Sequence, residues 1–103
     1  MVKRKIEWLA EAKLDLKDIL DFYIERNGSA VYSKKLNSRL TYSIQLLAKN
    51  PFIGIKTGFD NVRSLIKDDY QIIYEIFDSS ILILIIWDCR RNPDDKRIGQ
   101  RIK

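Results

Sequence analysis

The sequence predicts an α+β domain: a short N-terminal strand, an antiparallel helix hairpin packed on an antiparallel sheet, and a C-terminal three-strand meander within that sheet. Three observations predict it. Apolar residues recur at helical spacing through two successive segments in the first half of the chain. The second half switches to strand-like segments joined by short links, Asp68-Asp69 and Asp78-Ser79-Ser80. The last of these segments, Ile81-Leu82-Ile83-Leu84-Ile85-Ile86-Trp87, is apolar throughout. Such a run suits a strand buried on both faces, because alternation with period two appears only where one face meets water.

Residues 2–8 alternate weakly and read as a short edge strand whose lysines discourage pairing with other chains. From Leu9 the period changes: Ala12, Leu16, Ile19, Leu20 and Tyr23 form one helical face, and Glu11, Asp15, Asp18, Asp21 and Glu25 populate the other. Asn27-Gly28 supplies the stop, since both residues tolerate the left-handed conformation that closes many helices. Ser29 can cap a second helix with the apolar stripe Tyr32, Leu36, Leu40, Ile44 and Leu47, leaving Lys34, Lys35 and Arg39 exposed. Asn50-Pro51 ends it, because a residue before proline is pushed out of the helical region. A link this short makes the two helices an antiparallel hairpin.

Phe52–Asp60, with Gly54, Gly58 and a central Lys56, reads as a loop. Val62–Lys67, Tyr70–Phe77 and Ile81–Trp87 follow as consecutive antiparallel strands. If Asp68-Asp69 is a two-residue turn, Lys67 pairs with Tyr70, Leu65 with Ile72 and Arg63 with Tyr74, so Arg63 shares a face with Tyr74; a bulge would move it to the other. Tyr70, Tyr74 and Phe77 are expected in the core under a helix, with stacking on bases the less favoured alternative. After Arg91 the tail, residues 92–103, is basic and poor in apolar residues, and is expected to be mobile or to fold on binding.

At 103 residues the chain is read as one domain, 1–103, because halves of that size could not bury adequate cores. Its longest apolar run falls far short of the roughly 20 residues that cross a bilayer, and Glu7 and Glu11 interrupt what would be the apolar part of an export signal. No membrane is expected as a partner. The lone Cys89 cannot form an internal disulfide, which fits a reducing cytoplasm. The formal charge of +5 is unevenly placed: residues 29–59 carry five basic groups and no acidic one, residues 60–88 two basic and six acidic, and residues 89–103 six basic and two acidic. Such asymmetry can steer association with a polyanion or an acidic protein, or serve solubility alone.

Histidine is absent, which removes the commonest general base and metal ligand, and one cysteine does not make a metal site. No nucleophile elbow, phosphate loop, dinucleotide fingerprint or paired-cysteine spacing is present, so no metal or cofactor is expected. Any catalysis would rest on Arg, Lys, Tyr, Asp or Glu. Such a site can cleave RNA, where the 2′-hydroxyl is an internal nucleophile and cations stabilise charge on the phosphate. Arg90 and Arg91 at the end of a rigid strand suit phosphate or carboxylate, because the guanidinium fork offers paired donors at any physiological pH. Arg63, with ion pairing to Glu75 or Asp88 as its plainer role, and Lys56 on its loop are further candidates for binding. Cys89 beside two arginines can be reactive, though a free cysteine is more often a small hydrophobe.

The order strand, helix hairpin, meander, with Val62-Arg63-Ser64-Leu65, then Asp69-Tyr70-Gln71-Ile72-Ile73-Tyr74, then Ile83-Leu84-Ile85-Ile86 and Arg90-Arg91, resembles the RelE/ParE toxin superfamily over nearly the whole chain. The resemblance implies a bacterial growth-inhibiting toxin of a type II toxin–antitoxin module of the kind that stabilises plasmids. Its partner would be a small cognate antitoxin whose segments wrap around its sheet and helices. One branch of the superfamily cleaves mRNA on the ribosome, and another poisons DNA gyrase. Where the cleaving branch commonly has Tyr-Arg opening the second meander strand, Gln71 follows Tyr70 here, and the tail lacks the Tyr or His often placed after the terminal arginine. Replacing that arginine by a neutral side chain forgoes a charge-assisted contact of about 1.5–3 kcal/mol. The resemblance therefore implies first a ParE-like toxin that acts by binding its target, with Lys56, Arg63, Gln71, Arg90 and Arg91 as target-binding or nucleic-acid-binding candidates. The alternatives are a ribosome-dependent endoribonuclease, with Arg63 and Arg91 catalytic, and a non-toxic protein-binding relative.

Overall fold

In the computed structural model, which describes residues 3–90 and 98–102, the elements run β1 (Lys5–Trp8), α1 (Ala10–Asn27), α2 (Val31–Leu46), β2 (Ile55–Lys56), β3 (Val62–Lys67), β4 (Tyr70–Ile76), β5 (Ser80–Asp88) and α3 (Ile98–Arg101). The five strands form one sheet in the order β1-β5-β4-β3-β2. The expected N-terminal strand, helix hairpin and meander are all present. Two features of the strand arrangement differ from expectation. Strand β1 runs parallel to β5, making the sheet mixed, and the segment expected as a plain loop contributes a two-residue edge strand, β2, antiparallel to β3. Two residues between glycines carry no periodicity from which a strand could be read.

The helix hairpin forms as its sequence dictates. Gly28 sits at φ 67° and closes α1 in the left-handed conformation that glycine adopts without a Cβ penalty. Ser29 Oγ accepts a hydrogen bond from the Val31 N–H at the start of α2, and Ser33 Oγ donates to the Leu20 carbonyl at 2.6 Å, tying the two helices together. Leu36, Leu40, Ile44 and the following Leu47 are fully buried, whereas Tyr32, the first residue of the expected stripe, is turned outward against Tyr23.

The β3–β4 turn is the two-residue link expected, with Asp68 at φ 56°, and the register is Lys67 with Tyr70, Leu65 with Ile72 and Arg63 with Tyr74. Directly paired residues share a face. One face therefore carries Tyr70, Ile72, Tyr74, Ile81, Ile83 and Ile86 against Ala12, Leu36, Leu40, Ile44 and Leu47 of the helices. The other carries Val62, Ile73, Leu82, Leu84, Ile85 and Trp87, with Ile98 and Ile102 of the tail packed on it. Tyr70 and Tyr74 are core residues under the helices, as expected, whereas Phe77, expected there too, is only partly buried and packs on the other face.

A register shift between β4 and β5 governs the free side of β5. Ile73 pairs with Ile85 but Tyr74 pairs with Ile83, so Leu84 is an extra residue that leaves the ladder. Strand β1 ends at the same point, where Trp8 pairs with Ile83. Beyond it two side chains replace the missing strand: Arg101 donates to the Leu84 carbonyl at 3.0 Å, Asp15 accepts the Ile86 N–H at 3.2 Å, and Arg101 pairs with Asp15. These contacts hold the described part of the tail, residues 98–102, on the sheet. Asp15→Ala removes the acceptor for both donors and is expected to cost about 1–2 kcal/mol, the low end for charge-assisted bonds because both side chains keep some solvent. A urea midpoint unchanged by the substitution would show the clasp to be idle.

Candidate functional site

The five candidate residues divide into separate places. Lys56 and Arg63 face each other across the β2–β3 pair and line a cavity of about 490 Å³ with Phe52, Thr57, Phe59 and Asp60. Arg63 pairs with neither Glu75 nor Asp88. Its Nη1 donates to the Gly54 carbonyl at 2.8 Å and the Phe52 carbonyl at 3.3 Å, and its guanidinium lies 5.2 Å from the centre of the Phe52 ring. The guanidinium thus holds the 52–54 loop against the sheet. Tyr74, beside it, completes that anchorage: its hydroxyl donates to the Pro51 carbonyl at 2.7 Å and accepts from the Gly54 N–H at 3.0 Å.

Gln71 projects on the opposite face, where its Nε2 donates to Ser64 Oγ at 2.6 Å. Glu75 shares that face, paired in register with Val62 and Leu82, and is buried with its Oε1 lacking a hydrogen-bond partner among the described residues. The polar side chains that β3 and β4 place there, Ser64, Gln71 and Glu75, include no cation. Arg63 belongs to the helix-side face instead, by the register that the two-residue turn fixes.

Arg90 follows β5, and its pairing level, Tyr70 with Asp88, lies four strand residues from that of Tyr74 with Arg63, or ~13 Å along the sheet. Its Nε and Nη2 fork onto the Asp88 carboxylate at 2.9 and 2.8 Å, and Nη2 also donates to the Tyr23 hydroxyl at 2.7 Å. Arg91, with the rest of residues 91–97, lies outside the described residues. Cys89 is exposed and free of any disulfide, its N–H donating to the Asp69 carbonyl.

The neighbours of Arg90 were not foreseen. Tyr23, Arg26, Asn27 and Tyr32 surround it and line a niche of about 300 Å³. A signal was present, because Tyr23 ends the apolar face of α1 just before Arg26-Asn27-Gly28 turns the chain into α2. Tyr70 donates to the Tyr23 oxygen at 3.2 Å, and this bond, then the one from Arg90, holds the Tyr23 phenol below its ordinary pKa. Burial, then its bond to Tyr23, pushes Tyr70 far above the ordinary phenol value, and burial raises Tyr74. Arg90 is raised by its bond to Asp88 and then by Tyr23.

These directions fix the response to alkali. Above about pH 10 the phenols of the unfolded chain ionise while Tyr70 and Tyr74 keep their protons, so their contribution falls as pH rises. Tyr23 acts in the opposite sense, adding stability as pH rises through its lowered pKa. With two raised groups against one lowered, the urea midpoint is expected to decline between about pH 9 and about pH 11, and Tyr70→Phe is expected to flatten that decline. An unchanged slope in the variant would contradict the assignment.

An apolar cleft of about 490 Å³ runs between the helices, floored by Trp8, Leu16, Leu20, Ile24 and Ala30 and edged by Lys13, Lys17 and Lys34 with Asp21. Among the described residues no helix is long and apolar enough to cross a membrane, and no group of His, Cys, Asp or Glu is placed to hold a metal ion.

Comparison with known proteins is consistent with this architecture. The family model described as ParE toxin of type II toxin–antitoxin system, parDE, matches residues 6–93. Among solved structures, one from the chromosomal ParDE toxin–antitoxin system of P. aeruginosa is similar with TM-score 0.71 and 22% identity, over 82% of this chain and 94% of that one. One from the E. coli DinJ-YafQ toxin–antitoxin complex is similar with TM-score 0.55 and 16% identity, over 84% and 93%. No curated protein matches by sequence. At these identities the structural likenesses speak for the fold alone, and the family match, which spans most of the chain, decides the membership. The chain belongs to the ParE toxin family of type II toxin–antitoxin systems, within the RelE/ParE superfamily.

Proposed function

We propose that this toxin arrests growth by binding a protein target, DNA gyrase being the target the family resemblance implies, and that a cognate antitoxin neutralises it in the cytoplasm of a bacterial cell. One observation carries the choice of binding over RNA cleavage. Catalysis on a phosphodiester needs cations where charge develops, and among the described residues the polar side chains that β3 and β4 contribute to the face bearing Gln71 are Ser64, Gln71 and the buried Glu75 instead. Arg63, which could have substituted for the missing arginine, is engaged with loop carbonyls on the other face.

The surface around Lys56 and Arg63 has the character of a protein-binding patch. Phe52, Ile53, Ile55 and Phe59 are all exposed there, and apolar side chains clustered beside cations mark interaction sites more often than isolated ones do. The cleft between α1 and α2 is of a different kind, a long apolar trough with lysines on its rim, and suits the apolar face of an amphipathic antitoxin helix. Toxin target and antitoxin would then occupy different surfaces.

The test is inducible expression of the chain, alone and with its neighbouring open reading frame, with transcript 5′ ends mapped and nucleoids imaged in the same cultures. Arrest with intact messages, filamentation and abnormal nucleoids, relieved by the neighbouring gene product, is the expected outcome. New cuts within translated messages would overturn the binding mode in favour of the endoribonuclease, and antitoxin binding without arrest would make the chain a non-toxic relative.

A further inference from the structure

We propose that the niche formed by Tyr23, Arg26, Tyr32 and Arg90 binds a nucleoside phosphate, with the phosphate between the two guanidiniums and the base against Tyr32. The proposal concerns neither the antitoxin cleft nor the surface around Lys56, and it stands whether or not the toxin acts on gyrase.

The lining is the first argument. Tyr23, Arg26, Asn27, Tyr32 and Arg90 all carry hydrogen-bond donors, and no carboxylate among the described residues lines the niche. Asp88, the acid beside Arg90, is held from behind by both prongs of the Arg90 fork and by the Arg90 N–H. That clamp fixes the guanidinium while leaving Nη1 without a hydrogen bond among the described residues. Arg26 makes no hydrogen bond or ion pair among them either, and is exposed at the end of α1. An unengaged guanidinium beside a pre-positioned one is the arrangement that phosphate recognition favours, since each planar fork can offer two parallel N–H groups.

The Tyr23 hydroxyl is the second. Its oxygen accepts from Arg90 and from Tyr70, so its own proton has no acceptor among the described residues and is available to an incoming oxyanion. The donation from two sides also withdraws electron density from the phenol, in keeping with its lowered pKa, and strengthens it as a donor. The C-terminal carbonyls of α1 oppose an anion here, but that effect fades within the last turn and is weaker than charge-assisted contact with two arginines.

The aromatic pair supplies the rest of the ligand. Tyr32 is 39% exposed and lies at a steep angle to Tyr23, ring centres 4.8 Å apart, so its exposed part is the surface on which a base would stack. A bare phosphate would use the arginines alone. A nucleoside phosphate uses both halves of the niche, and it can come from a free nucleotide or from the phosphorylated end of a single strand.

Isothermal titration of the full chain with AMP, adenosine, inorganic phosphate and a 5′-phosphorylated trinucleotide tests this. AMP or the trinucleotide is expected to bind at least about tenfold more tightly than adenosine or phosphate, and Arg26→Gln and Tyr32→Ala are each expected to weaken that binding by about tenfold or more. Neither exposed side chain supports the core, so circular dichroism should be unchanged. Absorbance titration near 295 nm provides an independent readout, because a bound anion raises the Tyr23 pKa and Arg26→Gln abolishes the rise. Preference for AMP identifies a free nucleotide, and preference for the trinucleotide a strand end. No AMP or trinucleotide binding at millimolar concentration, equal binding of inorganic phosphate, or binding insensitive to both substitutions would falsify the assignment.

Discussion

Gly54→Ala is expected to destabilise the protein by about 3–5 kcal/mol, combining an overpacking cost with the loss of buried hydrogen bonds. A Cβ built on Gly54 would lie 2.5 Å from the Tyr74 hydroxyl and 3.0 Å from the Ser64 carbonyl oxygen. The hydroxyl cannot retreat without abandoning the Pro51 carbonyl, and the carbonyl belongs to the β2–β3 ladder. The loop must therefore lift, taking with it the two carbonyls that Arg63 grips. Tyr74→Phe alone is expected to cost about 1–3 kcal/mol for the buried groups left unpaired. In the Tyr74→Phe background the added methyl group no longer meets the hydroxyl, its closest clash, so the double variant is expected to be at least about 1 kcal/mol more stable than the sum of the singles predicts. Urea denaturation of the four proteins decides it, and strict additivity would mean that the loop yields elsewhere.

Ile24→Glu is expected to release the toxin from its antitoxin. Ile24 lines the cleft between α1 and α2 while remaining 38% exposed, so a charge there is tolerated by the free fold but would be desolvated under a bound helix. Placing an unpaired charge in the centre of such an interface costs about 2–4 kcal/mol, or roughly a 30- to 1,000-fold loss of affinity. Cells expressing the variant should remain arrested when the antitoxin is co-expressed, although wild-type cells recover. The growth curve reads this directly, with thermal melting of the variant as the control for folding. Recovery equal to wild type would move the antitoxin off the cleft.

Much of the fold was legible because its determinants are local. The Asp68-Asp69 link offered the β3–β4 register as the one a bulge-free two-residue turn would give, and the structure has that register. Gly28 closed α1 by backbone geometry, whereas α2 ends at Leu46, short of the Asn50-Pro51 stop the sequence offered. The parallel docking of β1, the extra residue Leu84 and the clasp made by Asp15 and Arg101 depend on groups far apart in the chain, and no window of sequence contains them. The candidate site divided in the same way. That Arg63 lies with Tyr74 followed only on the condition that the turn carried no bulge, and the sequence left its face open; that its donors are taken by the Phe52 and Gly54 carbonyls could not be read at all, because backbone acceptors have no signature in residue identity. Arg90 stands out in the sequence for its place at a strand end, but Tyr23 and Tyr32 reach it only through the folding of the hairpin.

The pairing of Lys5 with Ser80 and Trp8 with Ile83 also orders events in time. The first strand of the chain waits for the last one, and the strand beside it is the most apolar of the sheet. During synthesis the helix hairpin can assemble from local contacts, but β1 has no neighbour and neither face of the sheet is complete until β5 has emerged. A chain arrested before Ser80 thus has its helices but no place for β1. The sheet can close over both faces only after β5 has been made.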